Sequence, residues 1–165
     1  MDASEVERIS HHEAGHAVAV ELLGGMVESV RIYPERTEGV TGQTLFKRPS
    51  IAANPFAHSP SFNLQAAIAG PGAELFAKGD DLPLRAIGFV RIANSDATWI
   101  ARTMAGPLRE YSQPECDRLL ERAWTAIRGR LIANRPAVKR LAAILRRQHC
   151  ADRCLVVGVM GCKSH

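Results

Sequence analysis

The sequence predicts a mostly helical α+β fold with a small early β-sheet of about two to three strands. Apolar residues recur at helical spacing over most of the chain, and strand-like runs are confined to residues 27–46. With 165 residues, of which 46% are hydrophobic and 23% charged, the chain has the size and composition of one domain with a sizeable core. We therefore predict one domain over residues 1–148 and a C-terminal tail of uncertain structure over residues 149–165.

The early elements are one helix and two strands. The helix is predicted over residues 4–23, because Ser4 and Glu7 have the spacing of a capping box and apolar positions follow at helical spacing. Two short strands are predicted at residues 27–32 and 40–46, where apolar residues lie among polar ones between turn signals. These two strands would form the small sheet.

The later segments predict further helices. Residues 61–78 are rich in alanine and have a helical pattern that Pro71 would kink or restart. A helix over residues 95–105 begins at a serine of the kind that caps helices and ends at a Gly-Pro pair. Two more helices, over residues 114–133 and 136–149, are separated by an Asn-Arg-Pro turn.

The composition argues against several classes of partner. The formal net charge of +4 comes from basic residues interspersed with acidic ones, which is typical of a solvated surface and does not indicate a nucleic-acid site. No apolar run is long enough for a membrane span, and no export signal is apparent at the N-terminus. The cysteines are too few for a disulfide framework, so we expect a cytoplasmic protein. They are Cys116, Cys150, Cys154 and Cys162.

The predicted first helix contains the motif His-Glu-x-x-His, formed by His12, Glu13 and His16. Residues four apart lie on one face of a helix, so both imidazoles can bind a single Zn²⁺ ion. Glu13 is offset from that line and can face the same cavity, where it would take a proton from water and return it to a leaving amine. His11 lies about 100° away around the helix and is expected at the surface or behind a ligand.

The alternative for this motif is a helix that carries the same residues without a metal. The apolar residues around the motif, such as Ala14, Ala17 and Val18, predict that the helix is buried. Buried histidine and glutamate side chains are costly without partners. The context therefore favours a metal site.

The segment HEAGHAV at residues 12–18 resembles the peptidase domain of the FtsH-type membrane-anchored ATP-dependent zinc metalloproteases. Further segments are similar to that family in the same order, so the resemblance covers most of residues 5–148. They are SVRIYP at 29–34, GVTG at 39–42, IAGPGAE at 68–74, ATWIARTM at 97–104 and the helical pair at 122–145 with its NRP turn. The resemblance implies a zinc-dependent metalloendopeptidase with Glu13 as the general base.

The resemblance also implies an aspartate as the third protein ligand, shortly before the Ala-Thr pair, and Asp96 is the acid at that place. It directly precedes Ala97, whereas the family's aspartate lies several residues earlier. The alternative for Asp96 is an acid that caps a helix. Asp80, Asp81 and Glu74 are reserve candidates, and Glu74 is better explained as a packing partner that orients a ligand histidine.

The sequence lacks the phosphate-binding loop Gly-x-x-x-x-Gly-Lys-Ser/Thr that the family's ATPase module would supply. We therefore expect the chain to cleave flexible or unfolded polypeptides, or to act with an unfoldase in trans. The strand at residues 40–46 would bind an extended peptide at an open edge, or would be an ordinary edge strand. Natural substrate and oligomeric state are not predicted.

A second hypothesis is a zinc-binding interaction or regulatory module of the same fold with weak or no catalytic activity. A deep cleft with an open coordination position would favour the enzyme, and a blocked one would favour the module. A second metal site near the C-terminus is also conceivable. Because the spacing of Cys150, Cys154 and Cys162 differs from that of paired zinc knuckles, free or buried thiols are favoured there.

Overall fold

The computed structural model describes residues 1–36, 39–49, 60–82 and 113–161. The predicted fold class is confirmed, because helices dominate and are accompanied by one three-stranded antiparallel sheet. In chain order the elements are α1 (Ala3–Leu22), β1 (Met26–Ile32), β2 (Gly42–Lys47), α2 (Pro60–Ala77), α3 (Gln113–Ala133), α4 (Arg135–Gln148), β3 (Cys150–Asp152) and α5 (Arg153–Gly161). The helix predicted over residues 95–105 lies outside the described residues.

Helix α1 lies at the centre of the domain, packed against α2, α4 and the sheet, and it is buried from Ile9 to Val20. The prediction that Ser4 caps it is wrong. Asp2 is the N-cap, and its carboxylate accepts a hydrogen bond of 2.8 Å from the backbone N–H of Glu5. Asp2 has the extended backbone that places a capping side chain over the free N–H groups, whereas Ser4 already lies inside the first turn.

The sheet has the strand order β2-β1-β3, and both pairings are antiparallel. The β1–β2 pair, in which Val30 lies opposite Thr44, forms the two predicted strands. Strand β3 lies in residues 149–165, the C-terminal tail for which no structure is predicted from the sequence. Its position follows from His149, which ends α4 in the left-handed conformation and accepts a hydrogen bond of 2.9 Å from the N–H of Ile32. This turn brings β3 alongside β1.

Helix α2 is a single helix that runs through Pro71 and packs between α1 and α3. A Cβ built at Gly72 would lie 2.7 Å from the ring of Trp124, the largest fully buried side chain of α3, so glycine lets the two helices approach. Among the described residues, no helix is both long enough and apolar enough to cross a membrane. The result is a buried α1 held on one side by α2.

Candidate metal centre

His12 and His16 lie one turn apart on α1, and their Nε2 atoms are 3.1 Å apart. The two rings are nearly perpendicular, with an interplanar angle of 84°. Both side chains are buried, with 9% and 8% of their surface exposed. The spacing predicted from the sequence therefore does bring the two imidazoles to one point.

The Nδ1 atoms of both histidines face acceptors on α2. His12 Nδ1 lies 2.6 Å from Glu74 Oε1, and His16 Nδ1 lies 2.7 Å from the carbonyl oxygen of Ala66. A carbonyl or a carboxylate can only accept, so each Nδ1 donates its proton. In the neutral ring the Nε2 atom is then an acceptor, and the two Nε2 lone pairs converge.

In the neutral rings these lone pairs would repel one another, and either a proton shared between the rings or a metal ion bound by both removes the repulsion, so this donor set fits a metal ion. Two ligands at the zinc–nitrogen bond length and the tetrahedral angle are roughly 3.3 Å apart. The Nε2 to Nε2 distance of 3.1 Å is close to that value. Neutral imidazole nitrogens also suit zinc as a borderline-soft ion. His12 and His16 therefore fit the part of a zinc site that the sequence predicted for them.

Three residues of α2 at four-residue steps support this pair. Ala66 and Glu74 bind the two Nδ1 atoms, and Gly70 lies between them opposite the Nε2 atoms. A Cβ at Gly70 would lie 2.5 Å from Nε2 of His16 and 2.9 Å from Nε2 of His12. Only a residue without a side chain leaves room for both rings there.

Gly15 allows a similarly close approach from the α1 side of the contact between α1 and α2. A Cβ at Gly15 would lie 2.5 Å from both the carbonyl oxygen of Ala69 and the Cβ of Ala73. The backbones of α1 and α2 therefore approach through glycine and alanine. This close contact fixes the distance between the histidines and the residues that orient them.

Glu74 is the orienting residue that the sequence suggested as one of its alternatives. Its Oε1 atom is shared between His12 Nδ1 and Arg8 Nη1, which lies 2.9 Å away. The carboxylate thus faces the far side of the imidazole from Nε2. This geometry matches the carboxylate partner that fixes the ring orientation and raises the basicity of metal-binding histidines.

For a zinc ion held by His12 and His16, we expect Glu74→Ala to weaken binding by about ten- to a hundredfold, because His12 loses the acceptor that fixes its ring. The measurement is a competition titration of zinc against a chromophoric chelator. Glu28→Ala is the matched control, since Glu28 pairs with Lys47 on the exposed side of the sheet. Equal zinc affinity in the two variants would contradict the orienting role.

The carboxylate of Glu13 is held by strand β2. Thr44 Oγ1 donates a hydrogen bond of 2.7 Å to Glu13 Oε2. A Cβ at Gly42 would lie 2.5 Å from Glu13 Oε1, so this glycine leaves space for the other oxygen. Glu13 is 6% exposed and makes neither of the Nδ1 contacts. Glu13 directly follows His12 in α1, and its carboxylate is not the partner of either ring's Nδ1 atom.

The predicted third ligand, Asp96, lies outside the described residues and stays a prediction. Among the reserve candidates, Asp81 is fully exposed and pairs with Arg135 at 3.6 Å. Asp80 and Asp81 follow the end of α2, at least about 10 Å along its axis from Gly70. Within the described ranges, no group of three or more His, Cys, Asp or Glu side chains is arranged to hold a metal ion.

The other titratable residues singled out in the sequence lie elsewhere. His11 is buried against α4, and burial lowers its pKa below the ordinary value of 6.5, although the Glu7 carbonyl that accepts from its Nδ1 acts in the opposite direction. Cys150 and Cys154 are free and exposed near the sheet edge. Cys162 lies beyond the described residues.

The sequence did not identify Thr44, Gly42 or Gly70 as parts of the site. A usable signal exists for α2, because Ala66, Gly70 and Glu74 have the same four-residue spacing as the histidines they face. No comparable signal marks Thr44, whose contact with Glu13 depends on how β2 packs over α1.

No protein-family model matches the chain, and no curated protein sequence matches it.

Proposed function

We propose that this chain is a zinc-dependent metalloendopeptidase related to the peptidase domain of the FtsH-type metalloproteases. The observation that carries the proposal is the convergence of two buried histidine Nε2 atoms, 3.1 Å apart, on a helix that also carries the buried carboxylate of Glu13. A pair of imidazoles alone would suit many metal sites. The adjacent Glu13, held by a threonine hydroxyl and kept off the Nδ1 atoms, is what favours hydrolysis.

In the proposed site His12 and His16 hold the ion, and Asp96 is the proposed third ligand. Zinc, when bound, lowers the pKa of water towards neutrality and polarises a carbonyl group. Glu13 then accepts the proton of the attacking water and delivers it to the leaving amine. Thr44 holds Oε2 of this carboxylate, and in the proposed reaction Oε1, which lies on the Gly42 side, takes the proton.

The proposed substrate is a flexible or unfolded polypeptide that adds to the outer edge of β2. Tyr33 donates to the carbonyl of Thr41, so alternate residues of β2 bond to β1. The main-chain groups of Gly42 and Thr44 consequently point away from β1. In the described part of the chain no strand pairs with this edge. Gly42 and Thr44 also contact Glu13, which would place the peptide beside the general base.

We further propose a cytoplasmic location, since Cys150 and Cys154 are exposed free thiols. An unfoldase acting in trans is the proposed partner for folded substrates. Neither proposal bears on the chemistry of the site.

The test is zinc analysis of the purified chain together with cleavage of an unfolded, fluorescently quenched protein by the same samples. We expect one zinc ion per chain and cleavage that a chelator stops and added zinc restores. Zinc without cleavage would replace the peptidase by a zinc-binding interaction module of the same fold. Absence of bound zinc, with no gain of activity on adding it, would overturn the proposal.

We expect Thr44→Val to lower kcat by about ten- to a hundredfold with little change in KM, because a hydrogen bond to a charged group is lost. Valine has nearly the same shape, and the main-chain edge that would bind substrate is unchanged. Thr44→Ser should restore most of the activity, since it returns the hydroxyl. A rise in KM at constant kcat would instead assign Thr44 to substrate binding.

A further inference from the structure

A second candidate site lies on a different side of α1 from the histidine pair. It is a cleft of about 230 Å³ between α1, α2 and α4. Its polar lining comes from Glu7, His11, Lys139 and Arg146, and its apolar lining includes Phe76. None of these residues contributes to the proposed catalytic site.

The side chains that line the cleft include one positive charge that no ion pair among the described residues neutralises. Arg146 is paired with Glu7, with 3.1 Å between Nη1 and Oε1. Lys139 also lines the cleft and forms no ion pair with any described residue. An anionic group of single charge would balance Lys139 and would gain a second cation from the neighbouring guanidinium.

His11 supplies an acceptor in the same cleft. Its side chain is 7% exposed, and its Nδ1 lies 3.0 Å from the carbonyl oxygen of Glu7, to which it donates. The Nε2 atom of a neutral ring that donates through Nδ1 is an acceptor. No described residue donates to it. His11 lines the cleft, and Nε2 is not among the described atoms that are both fully buried and without a partner, so this nitrogen is open to the cleft. A ligand with a hydroxyl or an ammonium group would donate to it.

The size and the apolar wall limit the ligand further. Phe76 is 2% exposed and forms the inner wall with small alanine side chains around it. A cavity of about 150 Å³ is large enough for benzene, so a cleft of 230 Å³ can hold a ring together with a carboxylate. Pockets for drug-sized ligands usually have at least about 300 Å³, so this smaller cleft suits a smaller ligand.

We propose that this cleft binds a small organic monocarboxylate that carries a hydroxyl or amino group on the carbon next to the carboxylate. The carboxylate lies against Lys139 and Arg146, the adjacent donor faces His11, and a short apolar body covers Phe76. This binding is independent of the proposed peptidase activity.

The test uses three probes with the same phenyl body, mandelate, phenylglycine and phenylacetate, titrated into the full ¹⁵N-labelled chain. Two-dimensional NMR reports both the affinity and the affected amides. We expect mandelate or phenylglycine to bind at least about fivefold more tightly than phenylacetate, with shifts at α1 and α4. The tighter of the two identifies the donor as a hydroxyl or an ammonium group.

Lys139→Met should weaken binding of the tighter probe by at least about fivefold. Arg147→Met is the matched control, because it removes one positive charge from the same helix outside the cleft, and it should change the affinity by less than about twofold. Lys139 is exposed, so its variant should fold. The proposal would be overturned if Lys139→Met left the affinity unchanged or if the folded chain bound no probe. Chemical shift changes centred on Thr44 and His16 would also overturn it.

Discussion

For the proposed zinc peptidase we expect Glu13→Gln to lower kcat for peptide cleavage by at least about a hundredfold, while zinc binding is retained. Glutamine has the same size, so the space beside Gly42 and the hydrogen bond from Thr44 are preserved. The amide cannot accept the proton of water, because its nitrogen has no basic lone pair and its oxygen is a far weaker base. The loss would therefore affect proton transfer and not the assembly of the site.

The measurement is kcat with the quenched unfolded substrate, alongside zinc content by mass spectrometry of the same samples. Glu28→Gln serves as the matched control, since Glu28 makes its ion pair with Lys47 through exposed side chains of the sheet. If Glu13→Gln retained activity within about threefold, another group would have to be the base. If it lost zinc, Glu13 would be part of the metal ligation.

The second large effect is expected for Gly70→Ala, which should lower zinc affinity by at least about a hundredfold and remove cleavage with it. The added methyl group would lie 2.5 Å from His16 Nε2 and 2.9 Å from His12 Nε2, well inside van der Waals contact. Both rings would have to turn. They cannot do so while Ala66 and Glu74, on the same helix as Gly70, hold their Nδ1 atoms.

Gly129→Ala is the control for this substitution. It lies inside α3, and a Cβ there meets nothing within 4 Å. Alanine should stabilise that helix by about 0.5–1 kcal/mol through the lower backbone entropy of the unfolded chain. Zinc titration and thermal unfolding of both variants separate a local effect on the site from a loss of fold. Unchanged zinc affinity in Gly70→Ala would show that the rings have room to move.

Much of the architecture could be predicted locally. The helices at the histidine motif, at residues 61–78 and at residues 114–133 appear within a residue or two of their predicted limits, because each has helical apolar spacing with turn residues at its ends. The cap of α1 was misplaced because Asp2 and Ser4 are both capping residues, and only the backbone conformation decides between them. Strand β3 could not be predicted, since three residues carry no periodicity of their own.

The candidate site also has parts that the sequence predicts and parts that it does not. The convergence of His12 and His16 follows from helix geometry alone, and the structure has it. Thr44 is placed by the β-hairpin and by the packing of β2 over α1, which no local pattern describes. Asp96 is proposed as a ligand from the family resemblance, and it lies outside the described residues.

The pairing of β1 with β3 has a consequence for biosynthesis. Ser29 lies opposite Asp152, about 120 residues later, so the ribosome must pass residue 152 before β3 can join this sheet. Helix α1 likewise waits for α4, which packs against it. Long-range closures of this kind are slow and come late in folding. A nascent chain would therefore carry its histidine motif in an unfinished core, and the compact arrangement around Glu13 would arise only after the later segments have emerged.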